Sequence, residues 1–206
     1  IGNGLVLGSD MSLYGVGQYY YTVIKYGQSF TLELEALIEG FYDPVTDKMV
    51  KDTAGIYLRN ISSPYSITDS ARAVLDSSGR GSFSFFKAMN SVPYYIVVKH
   101  RNGLETWSAD GNSFTNGSMS YDFTNSDSQA FGNNLIQKGS KFCIYSGEIN
   151  QDGIIDLSDI VSVYNDASNF QTGYIISDLT GDMFVDLSDL TTVVNSSAYF
   201  AHLIRP

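Results

Sequence analysis

The sequence lacks the residues and motifs that mark several large protein classes. Cys143 is the only cysteine among 206 residues, so no internal disulfide can form. No run of 18 or more apolar residues occurs, and the sequence therefore predicts no transmembrane segment. The two histidines, His100 and His202, have no serine or cysteine nucleophile beside them in a recognisable motif, and phosphate loops and zinc-ligand clusters are missing. We expect no catalytic residues and no organic cofactor.

Positive charge is scarce, and it is scarcest at the C-terminal end. The chain carries 22 acidic and 12 basic residues, a net charge of −10. Residues 147–206 hold nine of these acids and only one base, Arg205, so eight of the ten net negative charges lie there. Such repulsion destabilises a compact unit unless cations neutralise it, and an acidic surface argues against nucleic acid as a partner.

Hydrophobic residues are plentiful, at 43% of the chain with 15 Tyr and 12 Phe, and their spacing indicates strands. From residue 29 apolar side chains alternate with Thr31, Glu33, Glu35, Leu37 and Glu39, which predicts a half-buried strand with the glutamates facing solvent. The apolar members of this strand are Phe30, Leu32, Leu34, Ala36 and Ile38. Further strands are predicted at Ile56–Arg59, Ala71–Leu75, Ser82–Phe86, Tyr94–His100, Glu105–Ser108 and Met119–Phe123.

Turn signals separate these strands. Asn102-Gly103 predicts a tight hairpin, and Ser78-Gly79-Arg80-Gly81 predicts a similar turn. Short strands with turns between them indicate an antiparallel β-sandwich, either immunoglobulin-like or transthyretin-like. The predicted fold class is mainly β, with the sandwich followed by a small α module.

We divide the chain into three parts. Residues 1–28 form an apolar, glycine-punctuated arm or strand, residues 29–146 the β-sandwich, and residues 147–206 the α module, in which apolar residues follow helical spacing after Leu157 and after Leu187. The arm either adds to the sheet edge of a neighbouring copy, which would build a surface fibre, or folds back onto its own domain.

The C-terminal part is an internal repeat with an offset of 30 residues. Residues 148–170 align with residues 178–200, and the longest identical run, Asp-Leu-Ser-Asp, begins at Asp156 and again at Asp186. One short loop followed by a helix cannot bury its apolar face alone, whereas two such units can pack together.

Each repeat carries oxygen-bearing residues at the spacing of a twelve-residue calcium loop, which uses positions 1, 3, 5, 7, 9 and 12. Position 7 acts through its backbone carbonyl. The predicted ligands of the first site are Glu148, Asn150, Asp152, Ile154, Asp156 and Asp159. Those of the second site are Asp178, Thr180, Asp182, Phe184, Asp186 and Asp189. The competing interpretation is a pair of polar turns, each followed by a capped helix.

Residues 145–200 resemble a type I or type II dockerin, because a loop followed by a helix is duplicated and Asp stands at position 12. An EF-hand would add a helix before each loop, and neither Phe142–Gly147 nor Thr172–Ser177 looks helical. The resemblance implies two Ca²⁺ ions, a cohesin-like protein partner, and Leu157 and Ser158 with Leu187 and Ser188 at the contact. The two leucines could equally belong to the core.

Three residues depart from the dockerin pattern. Glu148 replaces Asp at position 1, Thr180 replaces a stronger ligand at position 3 of the second loop, and Met183 replaces the turn glycine at position 6. We expect the second site to bind calcium more weakly.

The sequence thus predicts an extracellular, secreted, calcium-stabilised and non-catalytic structural or assembly protein that could polymerise through its N-terminal strand. Weak calcium sites need the millimolar calcium found outside cells, and the chain begins at Ile1, as a processed secreted form would and as an engineered boundary would too. The alternatives are a dockerin-type docking module of a larger secreted protein, and a carbohydrate-binding module that uses Trp107 and tyrosines as a sugar platform.

Overall fold

The computed structural model describes residues 5–7, 13–15 and 28–206. Alternating apolar residues form most of the strands, and the two helices lie at the C-terminal end. In chain order the strands are β1 Leu5–Leu7, β2 Leu13–Gly15, β3 Phe30–Glu35, β4 Tyr42–Asp43, β5 Lys48–Met49, β6 Asp52–Asn60, β7 Ile67–Leu75, β8 Arg80–Phe85, β9 Pro93–Lys99, β10 Thr106–Trp107, β11 Asn112–Ser113, β12 Ser118–Asp122, β13 Ile136–Lys138 and β14 Lys141–Cys143. The α-helices are α1 Leu157–Ser168 and α2 Leu187–Ala198, and two 3-10 turns span Asp127–Gln129 and Phe131–Asn133.

Two sheets pack face to face around one core. The first has the strand order β10-β9-β6-β7, with β11 also pairing with β9, and the second has the order β12-β3-β8. Ile56 on β6 and Ile96 on β9 share the core with Leu32 on β3 and Phe83 on β8, and all four are at most 1% exposed. The predicted mainly β sandwich is therefore present, and each strand predicted in this region overlaps an observed one.

The sequence predicted an antiparallel sandwich, but one strand of the second sheet runs parallel to its neighbour. β12 runs parallel to β3, with Met119 opposite Leu32, while β8 pairs with β3 in the antiparallel sense. A parallel neighbour requires a long connection between the strands, and hydrophobic spacing within one strand does not report its partner's direction.

Strand β3 also ends earlier than the alternation from residue 29 predicts. β3 stops at Glu35, and the next four residues, Ala36 to Glu39, are all buried. Glu39 was expected on the solvent face, but it is 8% exposed because the C-terminal part covers it. Its carboxylate accepts hydrogen bonds from Ser146 N and from Ser196 Oγ on α2.

Neither predicted tight turn is a two-residue hairpin. β9 and β10 do pair, but residues 100–105 separate them, since Asn102 turns away to contact the C-terminal loops. The turn after β7 carries the chain from the first sheet to the second. Gly79 has a φ of +76° there, and a Cβ at this position would collide with the backbone of Ala36.

Part of the N-terminal arm falls among the described residues. β1 and β2 pair with each other in the antiparallel sense, with Val6 opposite Tyr14. The rest of the arm predicted for residues 1–28 lies outside the described residues.

In the described part of the chain, neither helix has the length and hydrophobicity that crossing a membrane requires.

Candidate metal centre

In the C-terminal part, the segment after each helix forms hydrogen bonds with the loop of the other repeat. Backbone N–H groups of Ile155 and Val185, which stand at position 8 of the two loops, donate to Ala201 O and Gln171 O, at 3.0 Å in both cases. The segment that follows α1 therefore pairs with the second loop, and the segment that follows α2 pairs with the first. These contacts are equivalent at an offset of 30 residues, so the sequence repeat is also a structural repeat.

The first loop, residues 148–159, folds around its own carboxylates. Glu148 accepts hydrogen bonds from Asp152 N at 3.1 Å and from Gly153 N at 3.0 Å. Asp152 Oδ1 accepts from Ile154 N, and the Asn150 amide donates to Asp152 Oδ2 at 2.9 Å. Side-chain oxygens at positions 1, 3 and 5 are thus held inside one turn.

The second loop, residues 178–189, repeats this geometry. Asp178 accepts hydrogen bonds from Gly181 N at 2.7 Å and from Met183 N at 3.3 Å. Asp182 Oδ1 accepts from Phe184 N at 2.9 Å, as its counterpart does in the first loop. The carboxylates at positions 1 and 5 therefore have equivalent places in both repeats.

Position 12 closes each loop and position 9 begins each helix. Asp159 accepts from the backbone N–H groups of Ile149, Asn150 and Asp156, at 2.8, 3.2 and 2.9 Å. Asp189 accepts equivalent bonds from Leu179, Thr180 and Asp186. Asp156 and Asp186 are the N-caps of α1 and α2, and both helices begin with a complete capping box. Capping thus explains part of the acidic pattern.

Both loops place two residues in the left-handed region, at positions 4 and 6. In the first loop these are Gln151 with a φ of 60° and Gly153 with a φ of 94°; in the second they are Gly181 with 76° and Met183 with 73°. Each loop has one glycine at one of the two positions. The second loop therefore does not lack a turn glycine, as position 6 alone suggested, but carries it two residues earlier.

Four carboxylates of the loops are almost completely buried. Glu148 is 2% exposed, and Asp159, Asp178 and Asp189 are each 0% exposed. Among the described residues, the only salt bridge to any of these four joins Arg101 to Asp178, at 3.4 Å. Burying a carboxylate without a counter-charge is unfavourable, and the backbone hydrogen bonds to these four groups offset only part of that free energy.

Glu148 and Asp189 have raised pKa values. Burial raises the pKa of Glu148, and the nearby charges of Asp159 and Asp152 raise it further. Burial also raises the pKa of Asp189, against the effect of its backbone hydrogen bonds. A divalent cation in each loop would favour the ionised carboxylates.

One buried oxygen at a predicted ligand position lacks a partner. Among the described residues, Thr180 Oγ1 at position 3 of the second loop has no hydrogen-bond partner at normal distance and angle, although it lies close enough to the Asp189 carboxylate to lower the pKa of that group. A buried hydroxyl without a partner destabilises the fold, whereas a hard cation would bind its oxygen. The Thr180 hydroxyl is thus an oxygen donor of the kind that calcium binds.

Among the described residues, acidic side chains alone do not form a metal site in either loop. Within the part of the chain that the structure describes, no three Asp, Glu, His or Cys side chains form a group that could hold a metal. A calcium ion would also need the amide of Asn150, the hydroxyl of Thr180 and the backbone carbonyls of Ile154 and Phe184, as the predicted ligand sets include.

The β-sandwich holds the second loop through charged groups that the ligand spacing did not reveal. Arg101 donates from Nε to Asp52 Oδ2 at 2.9 Å and from Nη1 to Ile175 O, besides its ion pair with Asp178. Tyr174 Oη donates to Asp52 Oδ1 at 2.6 Å. Burial alone would raise the pKa of Asp52, but its hydrogen bonds with His100, Tyr174 and Arg101 outweigh this effect and lower it.

Each helix has two apolar stripes, one buried and one exposed. On α1, Val163 is 0% exposed and packs in a second core, while Leu157 is 69% exposed. On α2, Val193 is buried and Leu187 is 73% exposed. Other exposed apolar side chains on these repeats are Ile154, Val161, Tyr164, Phe170, Met183, Phe184, Val194, Tyr199 and Phe200. The two leucines at loop position 10, which sequence alone left between core and contact, are therefore on the surface.

Exposed apolar side chains are concentrated here. Among the described residues, 13 of the 20 large hydrophobic side chains that are exposed lie between residues 147 and 206. Trp107, the expected centre of a sugar platform, is only 2% exposed, and its indole N–H donates to Glu105. The surface therefore offers an apolar contact on the repeats and no open tryptophan face on the sandwich.

Comparisons with known proteins assign the chain to no family. No protein-family model matches it, and no curated protein matches it either. A solved C-terminal interface mutant of a type II cohesin–X–dockerin complex from Acetivibrio cellulolyticus is similar, with 19% identity, a TM-score of 0.47, and coverage of 81% of this chain and 94% of that chain. An N-terminal interface mutant of the complex gives 20% identity, a TM-score of 0.43, and coverage of 81% and 92%. TM-scores below 0.5 do not establish a shared fold.

Proposed function

We propose that this chain is a secreted, non-catalytic docking module whose C-terminal repeats bind calcium and present apolar helix faces to a protein partner. The proposal depends on the exposure of Leu157 and Leu187 at equivalent positions of two loops whose first and last carboxylates are buried. Large apolar side chains that repeat on an exposed surface are typical of protein interaction sites.

Calcium would fix the position of this surface without itself contacting the partner. The predicted ligands at positions 9 and 12 are also the residues that cap α1 and α2. An ion held by Asp156 and Asp159 would fix the start of α1, and Leu157 lies between these two ligands in sequence. We therefore expect partner binding to depend on calcium.

The dockerin resemblance of residues 145–200 makes a cohesin-type module the partner to test. Polymerisation through the N-terminal arm remains a prediction. The strands described there, β1 and β2, pair with each other. Glycan binding also remains a prediction, and the burial of Trp107 does not favour it.

The test is a double substitution on the exposed stripe, Leu157→Arg with Leu187→Arg. Both side chains are more than two-thirds exposed, so the variant should fold normally. We expect its affinity for a cohesin module that binds the native chain to fall by at least about tenfold in millimolar calcium, as for residues at the centre of an interface. Binding is measured by calorimetry against a panel of type I and type II cohesin modules.

A matched control is Val74→Arg on β7, where the valine is 56% exposed on the sandwich. This variant should bind as the native chain does. If no cohesin module binds the native chain in calcium, or if the double variant binds with native affinity, docking through these helix faces is wrong.

A further inference from the structure

Asn102 of the β-sandwich contacts the first residue of both predicted calcium loops. Its backbone carbonyl accepts hydrogen bonds from Gly147 N at 2.8 Å and from Glu148 N at 3.1 Å. Its side-chain amide donates to Ile176 O at 3.0 Å and to Asp178 O at 2.8 Å. Glu148 and Asp178 are the position 1 ligands of the first and second loops, so one residue holds the entry to both.

The orientation of this side chain is fixed by its surroundings. Asn102 is 0% exposed, and its Oδ1 lies 3.0 Å from His100 Nδ1. Because a carboxamide oxygen only accepts, His100 Nδ1 must donate, and the NH₂ group must point toward the second loop. On its other side the His100 ring contacts Asp52, and Phe41 packs edge-on against it at 5.0 Å. Asn102 therefore has one well-defined arrangement.

The two loops depend on Asn102 through different atoms. The first loop uses its backbone carbonyl, and the second uses its side-chain amide. A change that displaces Asn102 would move Glu148 and Asp178 together, since in the described part of the chain the backbone of neither residue has another hydrogen bond to the sandwich. An ion that fixes one position 1 residue therefore also fixes Asn102, and through it the other.

We propose that Asn102 is a positioning residue that couples the two loops, so that calcium at either loop strengthens binding at the other. This inference rests on the proposed calcium binding. A coupling between two sites that share a rigid element is typically about 5- to 150-fold in affinity and acts equally in both directions. It requires a residue of the sandwich, which an isolated loop-and-helix repeat does not contain.

The test is a thermodynamic cycle on the full chain, with calcium titrated by calorimetry. Asp152→Ala disables the first loop and Asp182→Ala the second; each removes a position 5 carboxylate that no described hydrogen bond connects to the other loop. In the native background we expect the product of the two binding constants to exceed the product of the single-loop constants at least about fivefold. In an Asn102→Ala background the two products should agree within twofold.

Asn134→Ala is the matched control. Asn134 is also a buried sandwich asparagine, and its amide donates to His202 O at 2.9 Å, so it contacts the tail that pairs with the first loop but no position 1 residue. This variant should keep the native coupling. If the coupling survives Asn102→Ala, or if Asn134→Ala removes it equally, the proposal is wrong.

A second measurement applies even if Asn102→Ala does not fold. In the Asp152→Ala chain, filling the second loop with calcium should slow amide hydrogen exchange at Gly147 and Glu148, which bond to Asn102. Unchanged exchange there would overturn the coupling. Binding at both loops without coupling in the native chain would overturn this inference alone, whereas no calcium binding at all would remove the proposed function as well.

Discussion

At the scale of single residues, a substitution at Thr180 distinguishes a calcium ligand from a residue that serves only the stability of the fold. Its hydroxyl is buried and has no hydrogen-bond partner among the described residues, and an unsatisfied hydroxyl costs about 1–3 kcal/mol. Thr180→Val replaces the hydroxyl by a methyl group of similar size. In chelator we expect this variant to be more stable by about 1 kcal/mol in urea unfolding, because the unsatisfied group is gone. In calcium, its affinity at the second loop should fall at least about fivefold, since an oxygen ligand is lost.

Thr192→Val provides the control, because the hydroxyl of Thr192 donates to Ser188 O and lies outside the loop. It should leave the calcium affinity unchanged. A Thr180→Val variant that is less stable in chelator, with native calcium affinity, would mean that the hydroxyl has a structural role only.

The repeat in the sequence located the two loops, whereas the residues that support them could not be predicted; calcium binding by the loops stays a prediction. The twelve ligand positions followed from a short local pattern, and in the structure they form two equivalent turns. Asn102 and Arg101 could not be predicted in the same way, because their role depends on contacts with residues more than seventy positions away. The Asn-Gly pair was a genuine turn signal, but burial and hydrogen bonding to the loops decided the conformation. The left-handed conformation at position 4 of the second loop was predictable, because the alignment of the two repeats places Gly181 opposite Gln151.

At the scale of secondary-structure elements, the question is whether the acids at position 9 only cap helices or also bind a metal. Asp156→Ser answers it, because serine caps helices about as well as aspartate but lacks the charge. We expect this variant to keep the stability of the native chain in chelator within about 0.5 kcal/mol. Its calcium affinity at the first loop should fall by at least about tenfold, which calorimetry would show.

Asp156→Ala is the companion variant. It removes both functions, so it should lose about 0.5–2 kcal/mol in chelator as well as calcium affinity. If Asp156→Ser binds calcium like the native chain, the acid is a helix cap and the first loop is a polar turn.

The elements themselves were largely predictable, but their partners were not. Periodicity located seven strands of the two sandwich sheets and both helices, because burial on one face leaves a regular pattern; the two-residue strand β11 is too short to show one. The direction of β12 beside β3, and the second, exposed stripe on α1, do not follow from that pattern. On α1 the apolar residues Leu157, Val161 and Tyr164 have helical spacing and yet face solvent, since spacing cannot tell a core from an unoccupied contact surface.

At the scale of the whole molecule, the sandwich and the repeats are joined by buried contacts. Leu104 of the sandwich lies in the same apolar core as Val163 and Val193 of the helices. Gly40 lies so close to the second loop that a Cβ there would collide with Leu179 O. Glu39 is covered by α2, and burial raises its pKa. We therefore expect that loosening the loops would also weaken the sandwich, and that the chain would unfold as one unit.

Thermal unfolding of the full chain in millimolar calcium and in excess chelator measures whether calcium stabilises the fold. A ligand at about one hundred times its dissociation constant stabilises the folded state by about 2.7 kcal/mol per site. For a chain of this size that corresponds to a rise in Tm of roughly 5 to 10 °C for each filled loop. We expect a rise of at least this size in calcium, with one transition for the whole chain. Equal melting temperatures in calcium and in chelator would contradict this expectation.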